Sequence, residues 1–326
     1  LGIVFAFGGA AVSMQEEIIP MVPVLVILAT KLHYDLRSII AMTLGASLIG
    51  AAFSPINPFV GLLAQNIAEV EPFSGASFRI VGLVLALGVW ITFHMKKGKL
   101  AEPEKDQVNF EPVPLSPRLL LILFIALGGF GLMAYGIIQW EWSYTEMSAL
   151  FFVIGITCGI LGGMGINGTA RTYVSGFGEM IFAGIIVGLA RSIYLILEKG
   201  AVIDPIIQGL FSPLENLPDS LAVAGLFISQ ALIHIPVPST SGQAVLTIPL
   251  AAPLTDLLQL PRQIAVLAYQ FPAGLMDLIT PTNGGMMAIL AAAGVSYKDW
   301  ISYLLKSWLF LVLFCLGICL LAIIFS

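Results

Sequence analysis

Apolar runs separated by short polar stretches occupy almost the whole chain, and the runs fall into two lengths. Residues 78–95, 118–140, 147–164, 180–197 and 300–325 are long enough to cross a hydrocarbon core of about 30 Å as single helices. Four other arms are shorter. Residues 1–12 and 18–32 flank a polar tip, Ser13-Met14-Gln15-Glu16-Glu17, and arms on either side of residues 236–243 run from 221 to 258. An arm of about 15 residues reaches only roughly 22 Å as a helix, short of a core of about 30 Å. Each pair of arms therefore predicts a re-entrant hairpin rather than two spans.

Two further runs carry a helix breaker in their middle. Residues 38–68 are interrupted at Ser54-Pro55-Ile56-Asn57-Pro58, and residues 264–293 at Thr280-Pro281-Thr282-Asn283-Gly284-Gly285. Both motifs read hydroxyl, Pro, any residue, Asn, breaker, and Pro55 and Asn57 stand 226 positions before Pro281 and Asn283. The same offset sets Ser13 on Ser239 and Pro23 on Pro249. Proline removes a backbone donor, and Ser, Thr and Asn side chains replace the lost hydrogen bonds. Unwound backbone at membrane depth is tolerated only where protein or a water-filled cavity covers it. Matched breaks in two halves point to the binding site of a secondary transporter.

Composition agrees with a polytopic all-α membrane protein: 58% hydrophobic, 10% charged, mean hydropathy +0.99. No basic patch with interleaved aromatics suggests nucleic acid. Cys158, Cys315 and Cys319 lie in apolar runs and read as small core residues, not as disulfide or metal ligands. Charge sets the orientation. Lys96, Lys97, Lys99 and Lys105 place the linker 96–116 in the cytoplasm, while most carboxylates fall on the other face. On that path the two hairpins enter from opposite faces, so the repeats are inverted. Residues 165–178 predict an interfacial arm, Arg79 an outer helix end, and His33 and His94 interface positions. The repeat lengths predict that about 110 residues precede Leu1. The chain then divides into a first-repeat transport part (1–95), the linker, scaffold helices with the interfacial arm (117–178), and a second-repeat transport part (179–326).

Half-helices that end at the midplane present free N–H groups to carboxylates and free carbonyls to cations. Around such ends Ser13, Ser54, Asn57, Ser239, Thr240, Ser241, Thr280, Thr282 and Asn283 supply neutral hydrogen bonds, with Na⁺ at the Asn57 and Asn283 breaks or H⁺ as the coupling ion. Glu16 and Glu17 are costly, since a charge at the bilayer centre carries a penalty of about 3 kcal/mol. They suit an ammonium, a guanidinium, Na⁺ or H⁺; the bland alternatives are helix N-terminal carboxylates or a shallow hairpin. Arg191 and Asp277 either pair with each other or serve substrate. Three acids against one base favour a cationic substrate: a basic amino acid such as arginine or ornithine ahead of a C4-dicarboxylate. An intramembrane hydrolase would use Ser239 with His234, but such a dyad has no reason to recur as a repeated hairpin. A channel has no need of paired half-helices.

The tip Ser13-x-x-Glu16-Glu17, the two Asn motifs and Gly188-Leu-Ala-Arg191 resemble the YfcC-type family of basic amino acid antiporters. That family is related to the anaerobic C4-dicarboxylate carriers of the ion transporter superfamily. The resemblance covers the whole chain. It implies a homodimeric elevator-type transporter of a bacterial inner membrane, whose hairpin tips and broken helices hold substrate and sodium. It also implies that the scaffold helices of the first repeat lie outside this sequence.

Overall fold

A computed structural model describes residues 1–99, 116–140, 142 and 144–324. Among them no strand occurs, only one isolated antiparallel bridge between Tyr34 and Lys99. In chain order the helices are α1 (Gly2–Val12), α2 (Val22–Leu32), α3 (Leu36–Ile40), α4 (Ala46–Phe53), α5 (Gly61–Ile67), α6 (Ala76–Gly98), α7 (Pro117–Trp140), α8 (Tyr144–Leu161), α9 (Gly165–Lys199), α10 (Ile203–Phe211), α11 (Asp219–Ile233), α12 (Thr240–Leu257), α13 (Arg262–Met276), α14 (Gly284–Ala292) and α15 (Tyr297–Ile324). The described residues form two compact units, one within Leu1–Glu104 and Phe182–Ser326, the other within Lys105–Ile181.

The helix pairs α1–α2 and α11–α12 fall where the two hairpins were expected, each pair joined by a polar turn. Helix α1 stops at Ser13, which takes a left-handed conformation (φ 54°) and returns its N–H to the Gly9 carbonyl at 3.0 Å. A 3₁₀ turn, Glu16–Met21, leads into α2, where Pro23 occupies a first-turn position that needs no N–H donor. In the second hairpin Ser239 caps α12, its hydroxyl accepting the Gly242 N–H at 3.2 Å. The two broken runs also form as expected: α4 ends at Ser54 and α5 begins at Gly61, and α13 ends before Asp277 and α14 begins at Gly284.

The first halves of both broken helices are the centre of the larger unit. Every residue of α4 and, from Ile264, of α13 is buried. They cross where a Cβ on Gly274 would stand 2.6 Å from the Ala52 Cβ, and Phe53 packs on Phe271 with ring centroids 4.7 Å apart. Helix α1 crosses α4 closer still: a Cβ on Gly9 would lie 1.9 Å from the Ser47 carbonyl oxygen, and one on Gly50 2.0 Å from that of Ala6. Outside this centre, α6 and α15 expose Val81, Val84, Leu85, Leu309 and Leu313. Leu36–Phe53, Ala76–Gly98 and Tyr297–Ile324 are long and apolar enough to cross a membrane. Buried polar seams with apolar exteriors fit a multi-pass membrane protein.

The structure differs from the sequence reading in two places and adds burial at two residues. A π-helical turn, Ala41–Gly45, joins α3 to α4; side chains take the carbonyls there, with Trp90 Nε1 donating to Ala41 at 2.8 Å and Thr43 Oγ1 to Ile39 at 3.0 Å. The interfacial arm at 165–178 is not a separate element, because α9 runs unbroken through Gly176 and Gly178. Each glycine costs about 1 kcal/mol of helix propensity, but away from water the backbone has no better partner than its own ladder. His94, near the end of α6, is buried between Tyr303 (Nδ1 to OH 3.2 Å) and Ser307 (Nε2 to Oγ 3.3 Å). Arg79 is likewise fully buried.

The α1–α4 crossing leaves no room for a methyl group. Gly9→Ala should destabilise the full-length protein by about 1–3 kcal/mol through backbone displacement, seen as a lower thermal midpoint in detergent. Gly88→Ala, where nothing lies within 4 Å, should leave the midpoint unchanged or slightly raised.

Candidate functional site

At the first break, Asn57 makes every hydrogen bond its amide can make. Its Nδ2 donates to the Gly9 carbonyl and to Ser13 Oγ, both at 2.8 Å, while its Oδ1 accepts the N–H groups of Phe59 (2.9 Å) and Val60 (3.2 Å). Ser54 works beside it, its hydroxyl donating to the Ala10 carbonyl at 2.6 Å and accepting the N–H groups of Ile56 and Asn57. Ser47 donates to the Met14 carbonyl. The first tip is thereby bonded to the first break, and the backbone donors stranded by Pro55 and Pro58 are satisfied. On the other side Gln270 Nε2 serves the carbonyls of Ser54 (2.8 Å) and Ala51 (3.2 Å).

At the second break Asn283 caps α14, its Oδ1 accepting the Met286 N–H at 2.8 Å. The same oxygen accepts Gln15 Nε2 at 2.7 Å, a bond between the first tip and the second break. Gly285 lets this happen, since a Cβ there would stand 2.9 Å from Gln15 Nε2. Asn283 Nδ2 donates to Asp277 Oδ1, and the same carboxylate oxygen lies 2.8 Å from His234 Nε2. His234 Nδ1 faces Gln243 Oε1 at 2.8 Å, and Gln243 Nε2 donates to Gln230 O (2.8 Å) and Oε1 (2.7 Å). One buried polar chain thus runs from Gln230 in α11 to the first tip. Donors from α15 occupy the carbonyls that end α13: Trp308 to Leu275, Trp300 to Leu278 and Tyr297 to Ile279.

The remaining sequence candidates are arranged around these two centres. Glu16 is exposed on the first tip, and Glu17 is half-buried with Oε2 accepting the Gln15 N–H at 3.0 Å. Thr282 ties the second break to the second hairpin through the Ile235 carbonyl (2.6 Å), and Tyr269 donates to the Thr240 carbonyl at 2.5 Å. Ser239 and Ser241 are partly exposed on the second tip. Thr280 is buried, and its hydroxyl has no partner among the described residues. Arg191 lies in α9, but its side chain falls outside the described residues.

Asp277 pairs with His234 and Asn283, while the Arg191 side chain expected beside it lies outside the described residues. Both His234 nitrogens are engaged and Ser239 Oγ caps α12, in keeping with the sequence argument against a Ser239–His234 dyad. One expectation needs correction: the count of three acids against one base changes. Asp277 is matched by a histidine, and Arg79 brings a buried guanidinium to the first break, where Ser54 O, Arg79 Nη1 and Gln270 Oε1 surround Gly61. Its three nitrogens have no hydrogen-bond partner among the described residues. Gln243, Gln230 and Gln15 were not singled out from the sequence, and His234 entered the sequence reading only as the partner of a rejected dyad. A usable signal existed: Gln243 stands 226 positions after Glu17, polar in an apolar arm in both halves.

Comparison with known proteins agrees with this architecture. The family profile described as "C4-dicarboxylate anaerobic carrier" matches residues 1–326. Among curated proteins, "Putative basic amino acid antiporter YfcC" of Escherichia coli is 32% identical over 326 residues, covering 92% of this chain and 64% of that protein. An "Uncharacterized protein" of Haemophilus influenzae is 29% identical, covering 94% and 63%. The chain therefore spans somewhat under two thirds of the length of these relatives. Among solved structures, the YdaH transporter of Alcanivorax borkumensis, described as having an unusual topology, aligns over 100% of this chain and 79% of its own, with a TM-score of 0.56 and 15% identity. That likeness concerns the fold alone.

Removing either asparagine amide strands several buried groups at once. Asn57→Ala in the full-length protein should cost about 2–4 kcal/mol, one to three per group offset by relaxation. Asn57→Asp, which keeps the acceptor but loses the Nδ2 donor, should fall between Asn57→Ala and wild type in thermal midpoint. Chemical denaturation in mixed micelles checks the order.

Proposed function

We propose a secondary active transporter's function for this chain, which belongs to the C4-dicarboxylate anaerobic carrier family. The family is one of carriers, not enzymes, and the Escherichia coli and Alcanivorax borkumensis proteins are named as an antiporter and a transporter. In our reading the two hairpins are re-entrant, enter from opposite faces and close on the two broken helices. The chain forms the binding site of a carrier that works by an elevator motion. The hairpins and breaks move as one body, while α7 and α8 belong to a static scaffold and the interface of a homodimer in a bacterial inner membrane. The grouping of α7 and α8 in their own compact unit supports that division.

One observation carries the substrate reading: the acidic first tip is bonded through Gln15 to the residue that caps α14. A carboxylate pair, Glu16 and Glu17, therefore stands next to a helix N-terminus whose first N–H groups, Gly284 and Gly285, precede the helical ladder. These are complementary ends for a small zwitterion that bears a second cation. The α-carboxylate meets the N–H end or Arg191, and the ammonium or guanidinium meets Glu16 or Glu17. Ser13, Thr240, Ser241, Thr280 and Thr282 supply neutral contacts. We therefore rank a basic amino acid, arginine or ornithine, exchanged or ion-coupled, first. A C4-dicarboxylate is second, because it needs Na⁺ or protonated glutamates to cancel repulsion at the tip. This local juxtaposition replaces the overall charge count as the reason for the order.

A thermal-shift screen of the purified full-length protein with arginine, ornithine, succinate and fumarate, with and without Na⁺, tests the ranking. Arginine should stabilise the wild type, and Glu17→Gln should weaken its apparent affinity about tenfold, or about 1.4 kcal/mol. Stabilisation by succinate alone, retained in Glu16→Gln and Glu17→Gln, would reverse the order.

A further inference from the structure

The buried chain at the second break fixes a proton count. Gln243 Nε2 donates to two oxygens of Gln230, at 2.8 and 2.7 Å, so its amide orientation is set and its Oε1 faces His234 Nδ1 at 2.8 Å. An amide oxygen only accepts, so Nδ1 carries a hydrogen. The other ring nitrogen, Nε2, lies 2.8 Å from Asp277 Oδ1. With Nδ1–H already present, a neutral imidazole offers a lone pair at Nε2, and an ionised carboxylate offers another. Two lone pairs do not meet at hydrogen-bond distance, so a second proton lies between them. Whether written as imidazolium with carboxylate or imidazole with carboxylic acid, the pair holds one proton beyond neutral histidine and ionised aspartate.

We propose that His234 and Asp277 are a proton-binding site, and that the proton is the ion coupled to substrate at the neighbouring tip. The site is walled off. His234 is fully buried at the end of α11, with Gln243 from α12 and Asp277 from the end of α13 as its polar neighbours. The other titratable groups that feel Asp277 are Tyr269 from α13 and Glu16 of the first tip. Asp219, on the helix of His234 itself, is exposed at its far end, as is Glu215 in the preceding turn. Loss of the proton leaves Asp277 with a full negative charge and Asn283 Nδ2 as its remaining donor. That charge appears one hydrogen bond from the residue that caps α14 and holds Gln15. It favours a cation at the tip and repels a carboxylate from the N–H end. Proton and cationic substrate thus exclude each other, and reciprocity makes substrate binding expel the proton. Sodium fits these breaks less well, because both asparagine oxygens already accept two bonds and side chains serve the carbonyls of Ala51, Ser54, Leu275, Leu278 and Ile279.

The linkage to substrate rests on the transporter reading above; the proton site does not. Side-chain ¹⁵N NMR of histidine-labelled full-length protein from about pH 5 to about pH 9 separates them. In the wild type His234 Nδ1 should remain protonated throughout, while Nε2 loses its proton within the series. Asp277→Asn keeps an oxygen to accept Asn283 Nδ2 but removes the carboxylate that shares the proton, so the ring should hold a single hydrogen across the series and the titration should vanish. An unprotonated Nδ1 in the wild type, or a titration indifferent to Asp277→Asn, would overturn the site. In proteoliposomes an imposed pH gradient should drive accumulation of arginine by wild type, and Asp277→Asn should reduce it to the level without a gradient. A wild type that passes the NMR test but ignores the gradient would overturn the coupling and leave the site standing.

Discussion

Everything in the larger unit depends on satisfying backbone that is broken away from water. A helix interrupted at membrane depth strands N–H groups on one side and carbonyls on the other, each costing several kcal/mol if left alone. The chain meets this with two asparagines in equivalent positions. Asn57 spends all of its amide on Gly9, Ser13, Phe59 and Val60. Asn283 spends its oxygen on Met286 and Gln15 and its nitrogen on Asp277. The close crossing of α1 and α4 at Gly9 and Gly50 goes with this, because Asn57 must reach the Gly9 carbonyl on α1.

The two breaks share a motif but not a chemistry. At the first, neutral groups make the hydrogen bonds and Arg79 stands beside them as a buried guanidinium. The second passes its hydrogen bonds on to an ionisable pair, and through Gln15 to the acidic turn of the other half. Equivalent scaffolding with one titratable side lets a carrier bind an asymmetric solute and a proton with the same fold. The first-half counterpart of Asp277, at the same offset, is Ala51, and that of His234 is Gly8. Sequence symmetry ends where ion chemistry begins.

Much of this fold was legible from apolar run lengths. The short arms on either side of the polar tips form as separate helices, and Pro with Asn inside apolar runs marks both breaks. The site was legible only in part. Glu16, Glu17, Asn57, Asp277 and Asn283 stand out because charge or motif marks them, whereas His234, Gln243 and Gln15 are single polar residues whose meaning depends on what faces them. The π-turn at Ala41–Gly45 was invisible because its cause, Trp90, lies 49 positions from the carbonyl it takes. The burial of Arg79 and His94 near the two ends of α6 went unread for a related reason: a charge near a helix end can face water or fold inward, and local hydropathy does not distinguish the two. The continuity of α9 escaped because glycine-rich sequence weakens a helix without forbidding it.

The central claim is that the first tip and the second break enclose the substrate between them. Cysteines at Gln15 and Gly285 test it directly, since a Cβ on Gly285 would stand 3.2 Å from Gln15 Cγ, within disulfide reach. In full-length protein with Cys158, Cys315 and Cys319 replaced by serine or alanine, the pair should oxidise readily. Saturating transported solute should slow that reaction by about tenfold or more, the mark of binding worth at least about 1.4 kcal/mol at the same place. A pair that fails to cross-link, or one whose rate no transported solute alters, would contradict the account.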